Sequence, residues 1–152
     1  MNNNSSIGKV VAISVSKQKG IPKENVQQAL LIKEYGIEGD AHAGKWHRQV
    51  SFLAVESIDK MRKAGLPKLR PGAFAENITT EFLVLPEFEI GSKLKIGKDS
   101  LLEITQIGKE CHSRCAIYET VGDCVMPKEG IFAKVIEGGN IFVGDGIIHL
   151  EK

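Results

Sequence analysis

The chain lacks the two features that mark most proteins that bind single-stranded nucleic acid, an excess of positive charge and interleaved aromatic residues. Its 20 lysines and arginines are nearly balanced by 19 aspartates and glutamates, and aromatic residues make up 6% of the sequence. Such proteins stack bases on aromatic side chains that line a basic groove. We therefore expect no nucleic-acid partner.

Long apolar runs are also missing. No segment approaches the roughly 20 apolar residues of a membrane span, and residues 1–6 are polar, without the apolar core of a secretory signal. The three cysteines are odd in number and are not spread like a disulfide framework. These absences predict a protein of the reducing cytoplasm, with no membrane partner and with thiols that are free or engaged by a ligand.

The motifs of several common enzyme classes are absent. The sequence has no Walker loop, no G-x-G-x-x-G after a strand, no G-x-S-x-G and no H-E-x-x-H. Nucleotide-binding, serine-hydrolase and zincin interpretations therefore lack their usual markers.

Short apolar and β-branched runs separated by glycine turns dominate what is present. They predict eight or nine short strands, and residues 55–64 form the best helix, with apolar residues at helical spacing and Gly65 just beyond. Hairpins are predicted over residues 97–100 and over residues 138–140, and residues 17–28 are predicted to be a polar loop.

This pattern predicts a mostly β fold. We expect a closed or partly closed β-barrel of short strands with one or a few short helices, one of them possible within residues 114–120. Apolar residues make up 42% of the 152 residues, enough for one core. The predicted organisation is a disordered tail at residues 1–7 and a single domain at residues 8–152.

All three cysteines lie in one segment, GKECHSRCAIYETVGDCVMP, at residues 108–127. Cys111 follows a predicted strand and stands near Lys109 and Arg114. A nearby cation favours the thiolate, which is the reactive and metal-binding form. Cys115 and Cys124 are interpreted more simply as small buried hydrophobic residues.

A structural zinc site is an alternative interpretation of this segment. A closed zinc site needs four ligands. Four residues could supply them: Cys111, His112, Cys115 and Cys124. Their spacing, however, matches no common zinc module.

A glycine-rich loop at residues 36–48 carries a second group of polar side chains. Asp40, His42, His47 and Arg48 lie there, and loops of this kind frequently carry function. The two histidines could bind a metal. The ordinary interpretation has Asp40 capping a turn, His42 bonding to backbone and Arg48 solvated.

A third loop, at residues 70–76, leads through Glu76 and Asn77 into a predicted strand. The ordinary interpretation of such a pair is that it satisfies the backbone groups of the loop.

Four segments, taken in order, resemble motifs of the MOSC domain family, named for the C-terminal domain of molybdenum cofactor sulfurase. The segments are GIEGDAHAG with RQV at residues 36–50, PGAFAENIT at residues 71–79, the strand at residues 102–111, and the segments at residues 134–139 and 143–147. They are similar to the family's Gly-Asp-x-His loop, its Gly-x-Phe-Gly-Glu-Asn motif, the strand before its characteristic cysteine and its closing hairpin. The resemblance covers residues 8–150.

The chain departs from the family pattern at two places. Ala75 stands where the motif usually has glycine, and Glu110 rather than proline precedes Cys111. Cys115 is the other candidate for the family cysteine. Cys111 is favoured by its position directly after the strand.

The resemblance implies a barrel like that of pyruvate kinase and a link to the molybdenum cofactor (Moco, molybdopterin). Cys111 would ligate molybdenum or carry persulfide sulfur. Cationic side chains would face the phosphate of the pterin: Arg48, Lys109, Arg114 and Lys128. Neighbouring loops would shape the pocket through Asp40, His42, Glu76 and Asn77.

The resemblance also implies partners among Moco biosynthesis or sulfurase proteins. Pyridoxal phosphate belongs to a separate sulfurase domain, so none is expected here. A carrier module is favoured, since the sequence has no flavin, haem or iron–sulfur motif. The alternatives are a small molybdoenzyme that reduces N-hydroxylated substrates with an external electron donor, and a zinc or redox-thiol structural module.

Overall fold

The computed structural model describes residues 6–19, 21–108 and 129–152. These ranges contain eleven strands, one α-helix and one 3-10 turn. The strands are β1 (Ser6–Val15), β2 (Glu24–Val26), β3 (Gln28–Ile32), β4 (Gly36–Ile37), β5 (Val50–Ala54), β6 (Ile78–Glu81), β7 (Lys93–Ile96), β8 (Ser100–Ile107), β9 (Ile131–Glu137), β10 (Gly139–Phe142) and β11 (Gly146–Leu150). The helix is α1 (Val55–Lys63) and the 3-10 turn is Leu85–Glu87.

Seven strands close into a barrel, which confirms the predicted fold class. Their order around the barrel is β1, β11, β7, β8, β9, β5 and β6, and β6 returns to β1. The first and last strands pair directly, with Ser6 opposite His149. All neighbours are antiparallel except β5 and β6, which are parallel.

Alternating residues of the strands fill the barrel. Along β7 and the first half of β8, every second residue is buried, as expected of a strand with one face toward a core. Leu94, Ile96, Leu102 and Ile104 are fully buried there. Each such side chain contributes about 1.5–3 kcal/mol through removal of its apolar surface from water.

A second, smaller core lies outside the barrel wall. A parallel strand pair needs a crossover connection, and here α1 and the segment after it run from β5 to β6. Leu53 of β5 and Phe132 of β9 pack against Ile58 of α1 and against Phe74 and Ala75. This packing explains why β5 is buried along its whole length.

The predicted helix and the first predicted hairpin are both confirmed. Helix α1 has acidic Glu56 in its first turn and basic residues in its last, which complements the helix dipole. In the hairpin, Ile96 of β7 faces Ser100 of β8, and Gly97 takes the left-handed conformation, φ +63°.

The predicted hairpin over residues 138–140 is wrong. Strand β10 does not pair with β9; it pairs with β3, Ile141 facing Ala29, and β4 completes a separate three-stranded sheet. The reason is a close crossing. A Cβ at Gly138 would overlap the backbone oxygen of Leu31, so glycine lets the chain pass over β3 instead of turning back.

The predicted loop at residues 17–28 also contains a strand. Strand β2 pairs with the end of β1, with Val26 opposite Ile13. It is three residues long and has no buried position, so no apolar alternation marks it in the sequence. The helix considered at residues 114–120 lies outside the described residues. In the described part of the chain, no helix has the length and apolar character needed to cross a membrane.

Candidate functional site

Asp40 fixes the glycine-rich loop between β4 and β5. Its Oδ1 accepts hydrogen bonds from the Ser16 backbone N–H at 3.0 Å and from Lys23 Nζ at 2.8 Å, and its Oδ2 accepts one from the His42 backbone N–H at 3.0 Å. The side chains of Asp40 and Lys23 are both fully buried. Burial opposes ionisation of Asp40, but Lys23 and the two N–H groups outweigh it and lower the pKa of this carboxyl.

Sequence reasoning missed Lys23. Its ammonium binds Asp40 and donates to Ser16 Oγ at 3.0 Å, while its backbone N–H donates to Gly72 O at 2.8 Å in the neighbouring loop. Burial lowers its pKa, and Asp40 and Glu76 oppose that effect. A lysine in a polar stretch is ordinarily solvated, so nothing in the sequence singled it out.

Glu76 closes the loop that precedes β6. Its Oε2 accepts from the Gly72 N–H at 2.7 Å and from Thr79 Oγ1 at 2.8 Å, and its Oε1 accepts from the Phe74 N–H at 3.2 Å. The side chain has no solvent exposure. Burial raises the pKa of Glu76 even though three donors face the carboxylate.

Asn77 ties the same loop to two strands. Its Oδ1 accepts from the Ser51 N–H at 3.0 Å, and its Nδ2 donates to Ser14 O at 3.1 Å. Glu76 and Asn77 therefore make the backbone contacts that the ordinary interpretation assigned to them. Ala75, which precedes Glu76 in this loop, has a φ of +64°. This left-handed conformation suits the glycine that the motif usually has.

Trp46 lies in the exposed part of the glycine-rich loop and was not singled out from the sequence. Its Nε1 donates to His42 O at 2.8 Å, and its ring lies parallel to the His42 ring, with centroids 6.5 Å apart. His47 meets it edge-on at 5.9 Å. Lys19 Nζ lies 4.5 Å from the ring centroid, and Arg48 Cζ lies 5.9 Å from it. We call these five residues the Trp46 cluster.

Arg48 connects this cluster to the strand that leads into the cysteine segment. Its Nε donates to Gln106 Oε1 at 2.9 Å, and His47 Nε2 lies 2.8 Å from the same oxygen. Gln106 Nε2 in turn donates to Gly108 O at 2.7 Å. The loop is thus hydrogen-bonded to the end of β8, just before residue 109. The guanidinium also lies over the Phe132 ring, 5.4 Å from its centroid.

The structure brings the two loops together at Lys23 and brings Arg48 to the end of β8. Among the described residues, Glu76 and Asn77 make no hydrogen bond or ion pair with Arg48. The remaining predicted site residues lie outside the described ranges: Cys111, Lys109, Arg114 and Lys128. Cys115, Cys124 and His112 lie there too. Within the described ranges, no group of three or more His, Asp or Glu side chains is arranged to hold a metal ion.

The described residues fit an anionic group of the kind that the pterin cofactor carries. In the described part of the chain, the terminal nitrogens of Arg48 make no hydrogen bond, and Lys19 has no carboxylate within 4.0 Å. Guanidinium and ammonium groups in this state are ready donors for a phosphate. By contrast, the polar side-chain atoms of Asp40, Glu76 and Asn77 are already hydrogen-bonded to other groups of the protein.

Solved structures share the fold of the chain. The YuaD protein from Bacillus subtilis matches with a TM-score of 0.82 at 17% identity, covering 98% of this chain and 99% of that one. YiiM from Geobacillus stearothermophilus matches with a TM-score of 0.73 at 21% identity, over 95% of this chain and 75% of that one. YiiM from Escherichia coli gives 0.67 at 17% identity, over 95% and 70%. A comparison with curated proteins finds no match.

The family assignment rests on a sequence model. The model of the MOSC domain matches residues 39–148, which include most of the glycine-rich loop, the Glu76 loop, strands β5 to β10 and most of β11. The family is linked to the molybdenum cofactor. The chain belongs to the MOSC domain family.

Proposed function

We propose that this protein is a molybdenum cofactor-associated carrier domain. In this proposal the Cys111 thiolate binds the molybdenum of Moco or carries persulfide sulfur for its sulfuration or delivery. Family membership supports the link to Moco. The observation that carries the rest is the chain of contacts from Arg48 through Gln106 to Gly108, because it puts the cationic side chain of Arg48 beside the entry to the cysteine segment.

The residues divide into two roles in this proposal. Arg48 offers its terminal nitrogens to the phosphate of the cofactor, together with Lys109, Arg114 and Lys128. Asp40, Glu76 and Asn77 hold the two loops in place, since their polar atoms are engaged by the protein. His42 contributes to both roles, because its backbone N–H donates to Asp40 and its ring lies beside Trp46.

Thiolate chemistry suits both forms of the carrier. When bound, the cofactor supplies a molybdenum centre, for which a soft thiolate is a suitable ligand. In sulfur transfer, the Cys111 thiolate attacks the outer sulfur of a donor persulfide and a new S–S bond forms. The donor cysteine leaves as its thiolate, so no external oxidant is needed.

The decisive experiment compares two cysteine variants. Cys111→Ser should lose molybdenum and pterin after loading with Moco, and should lose the added sulfur after sulfurase treatment. Cys124→Ser, which makes the same atomic change in the same segment, should retain them. Elemental analysis measures the metal, fluorescence of the oxidised pterin measures the cofactor, and intact-protein mass spectrometry measures the sulfur.

Equal retention in the two variants would show that Cys111 is not the residue involved, and Cys115→Ser is the next variant to compare. Turnover of an N-hydroxylated base by the loaded protein with an external electron donor would show that the protein is a reductase and not a carrier. One equivalent of zinc in the purified protein, with unfolding on chelation, would instead favour the structural module.

A further inference from the structure

We propose that Trp46 is a stacking platform for a planar heteroaromatic ring bearing an anionic group, with Lys19 and Arg48 binding the anion. The inference deepens the proposed function, because it names the ligand chemistry of the same loop. It rests on that function only where the ring is taken to be the pterin of Moco. The ring of a substrate would present the same chemistry.

The first argument is that Trp46 is exposed and yet held in place. About a third of the residue, 36%, remains accessible to solvent. Its indole N–H is bound to His42 O and its backbone N–H to Gly44 O at 3.0 Å. The loop beneath it is fixed by the buried pair of Asp40 and Lys23. An aromatic face that is already ordered loses little conformational entropy when a ligand stacks on it.

The second argument is the charge around the ring. Lys19 and Arg48 both approach the Trp46 ring, at 4.5 Å and 5.9 Å from its centroid. Neither has a carboxylate partner in the described ranges, and Asp40 in this loop is already paired with Lys23. Two like charges near one ring repel each other, and an anion bound beside the ring would lower that repulsion.

The Trp46 ring and the two cations together narrow the chemical class of the ligand. A phosphate alone would use the cations but not the partly exposed indole ring, and a neutral ring would stack but give the cations no anionic partner. A fused heteroaromatic ring with a phosphate monoester satisfies both, since such rings stack well on indole and phosphate binds guanidinium and ammonium groups.

The chain offers a direct readout, because Trp46 is its single tryptophan. We would titrate the full-length protein, without Moco, with GMP, whose guanine shares its amino-oxo-pyrimidine edge with a pterin. Saturable quenching of the tryptophan fluorescence is expected. Guanosine and ribose 5-phosphate, which each carry half of the ligand, should bind at least about tenfold more weakly.

Charge variants test the role of the cations while the fluorophore is kept. Lys19→Ala and Arg48→Ala should each weaken GMP binding by roughly tenfold. Lys98→Ala removes the same charge as Lys19→Ala from the exposed turn between β7 and β8, and it should bind like the wild type. Trp46→Ala, checked for folding by circular dichroism, should lose binding in calorimetry, and Trp46→Phe should keep part of it.

Calorimetry with a pterin phosphate identifies the source of the ring. Binding tighter than that of GMP assigns the site to the cofactor, and weaker binding assigns it to a purine-like substrate. The inference is overturned if neither probe binds saturably to the folded protein, or if the Lys19 and Arg48 variants bind like Lys98→Ala. If GMP binds but Cys111→Ser retains molybdenum like the wild type, the proposed function is wrong while the inference about Trp46 stands.

Discussion

At the scale of single residues, the buried pair of Lys23 and Asp40 has the largest consequences. Both side chains are fully buried and their charged atoms lie 2.8 Å apart. Such a pair adds little net stability over apolar residues of similar size, but removal of one partner leaves an uncompensated buried charge. The pair also joins the two loops, since the Lys23 backbone binds Gly72.

We predict that Lys23→Met and Asp40→Asn will each lower the free energy of unfolding by about 3–5 kcal/mol. The double variant should be destabilised by clearly less than the sum, because it leaves no unpaired charge. Urea unfolding measures all three. The control is Asp59→Asn, which breaks the partly exposed pair with Arg62 and should change stability by about 1 kcal/mol or less. A Lys23→Met effect no larger than that of Asp59→Asn would contradict the prediction.

At the scale of elements, the passage from β9 to β10 depends on Gly138. The chain leaves the barrel there and crosses over β3 so closely that a Cβ would overlap Leu31 O. The obstacle is backbone, which cannot rotate away as the end of a side chain can. The small three-stranded sheet of β10, β3 and β4 exists because this crossing is possible.

Gly138→Ala should therefore lower the free energy of unfolding by about 1–3 kcal/mol, the usual effect of forcing a methyl group into a filled space. Gly146→Ala is the matched control, since its Cβ would meet nothing within 4 Å and its φ is not left-handed. Chemical denaturation of the two variants is the measurement. If the two variants are destabilised equally, the loss comes from a general effect of alanine and not from the crossing.

At the scale of the whole molecule, we expect His149 to make stability depend on pH. It lies in β11, is 6% exposed, stacks on Phe88 with centroids 3.8 Å apart, and its Nε2 lies 2.9 Å from Ser92 Oγ. Burial lowers its pKa below the ordinary 6.5, and Glu151 opposes this. The folded state therefore disfavours protonation, so this contribution is intact above pH 6.5 and is lost as the pH falls toward the lowered value.

We predict that the free energy of unfolding of the wild type will fall between pH 7.5 and pH 5 by more than that of His149→Gln, which cannot titrate at this position. Urea titrations at several pH values provide the comparison. Parallel pH profiles for the two proteins would show that His149 is not responsible for the pH dependence.

The parts of the fold that sequence predicts are those decided by neighbouring residues. The alternation in β7 and the helical spacing of α1 are visible locally, and both elements were found where expected. The partner of β10 is decided by a crossing with Leu31, more than a hundred residues away in the chain, and no local pattern shows it.

The candidate site, like the fold, could be predicted only in part from the sequence. The motifs pointed to the loops of Asp40 and Glu76, and both loops are hydrogen-bonded to Lys23 in the fold. Lys23 and Trp46 were missed because the first looks like a surface lysine and the second like an ordinary apolar residue. Their roles depend on burial and on approaching charges, which only the folded chain reveals.

The pairing of β1 with β11 has a consequence for synthesis. On the ribosome β1 emerges before the other barrel strands, and the partner for one of its edges, residues 146–149, emerges more than a hundred residues later. Until then that edge is open to other strands. Of this edge, β2 covers only residues 13–15 of β1. In a nascent chain of this protein the barrel can therefore close only after β11 has emerged, and a pause in translation before β11 would prolong the exposure of the open edge to aggregation.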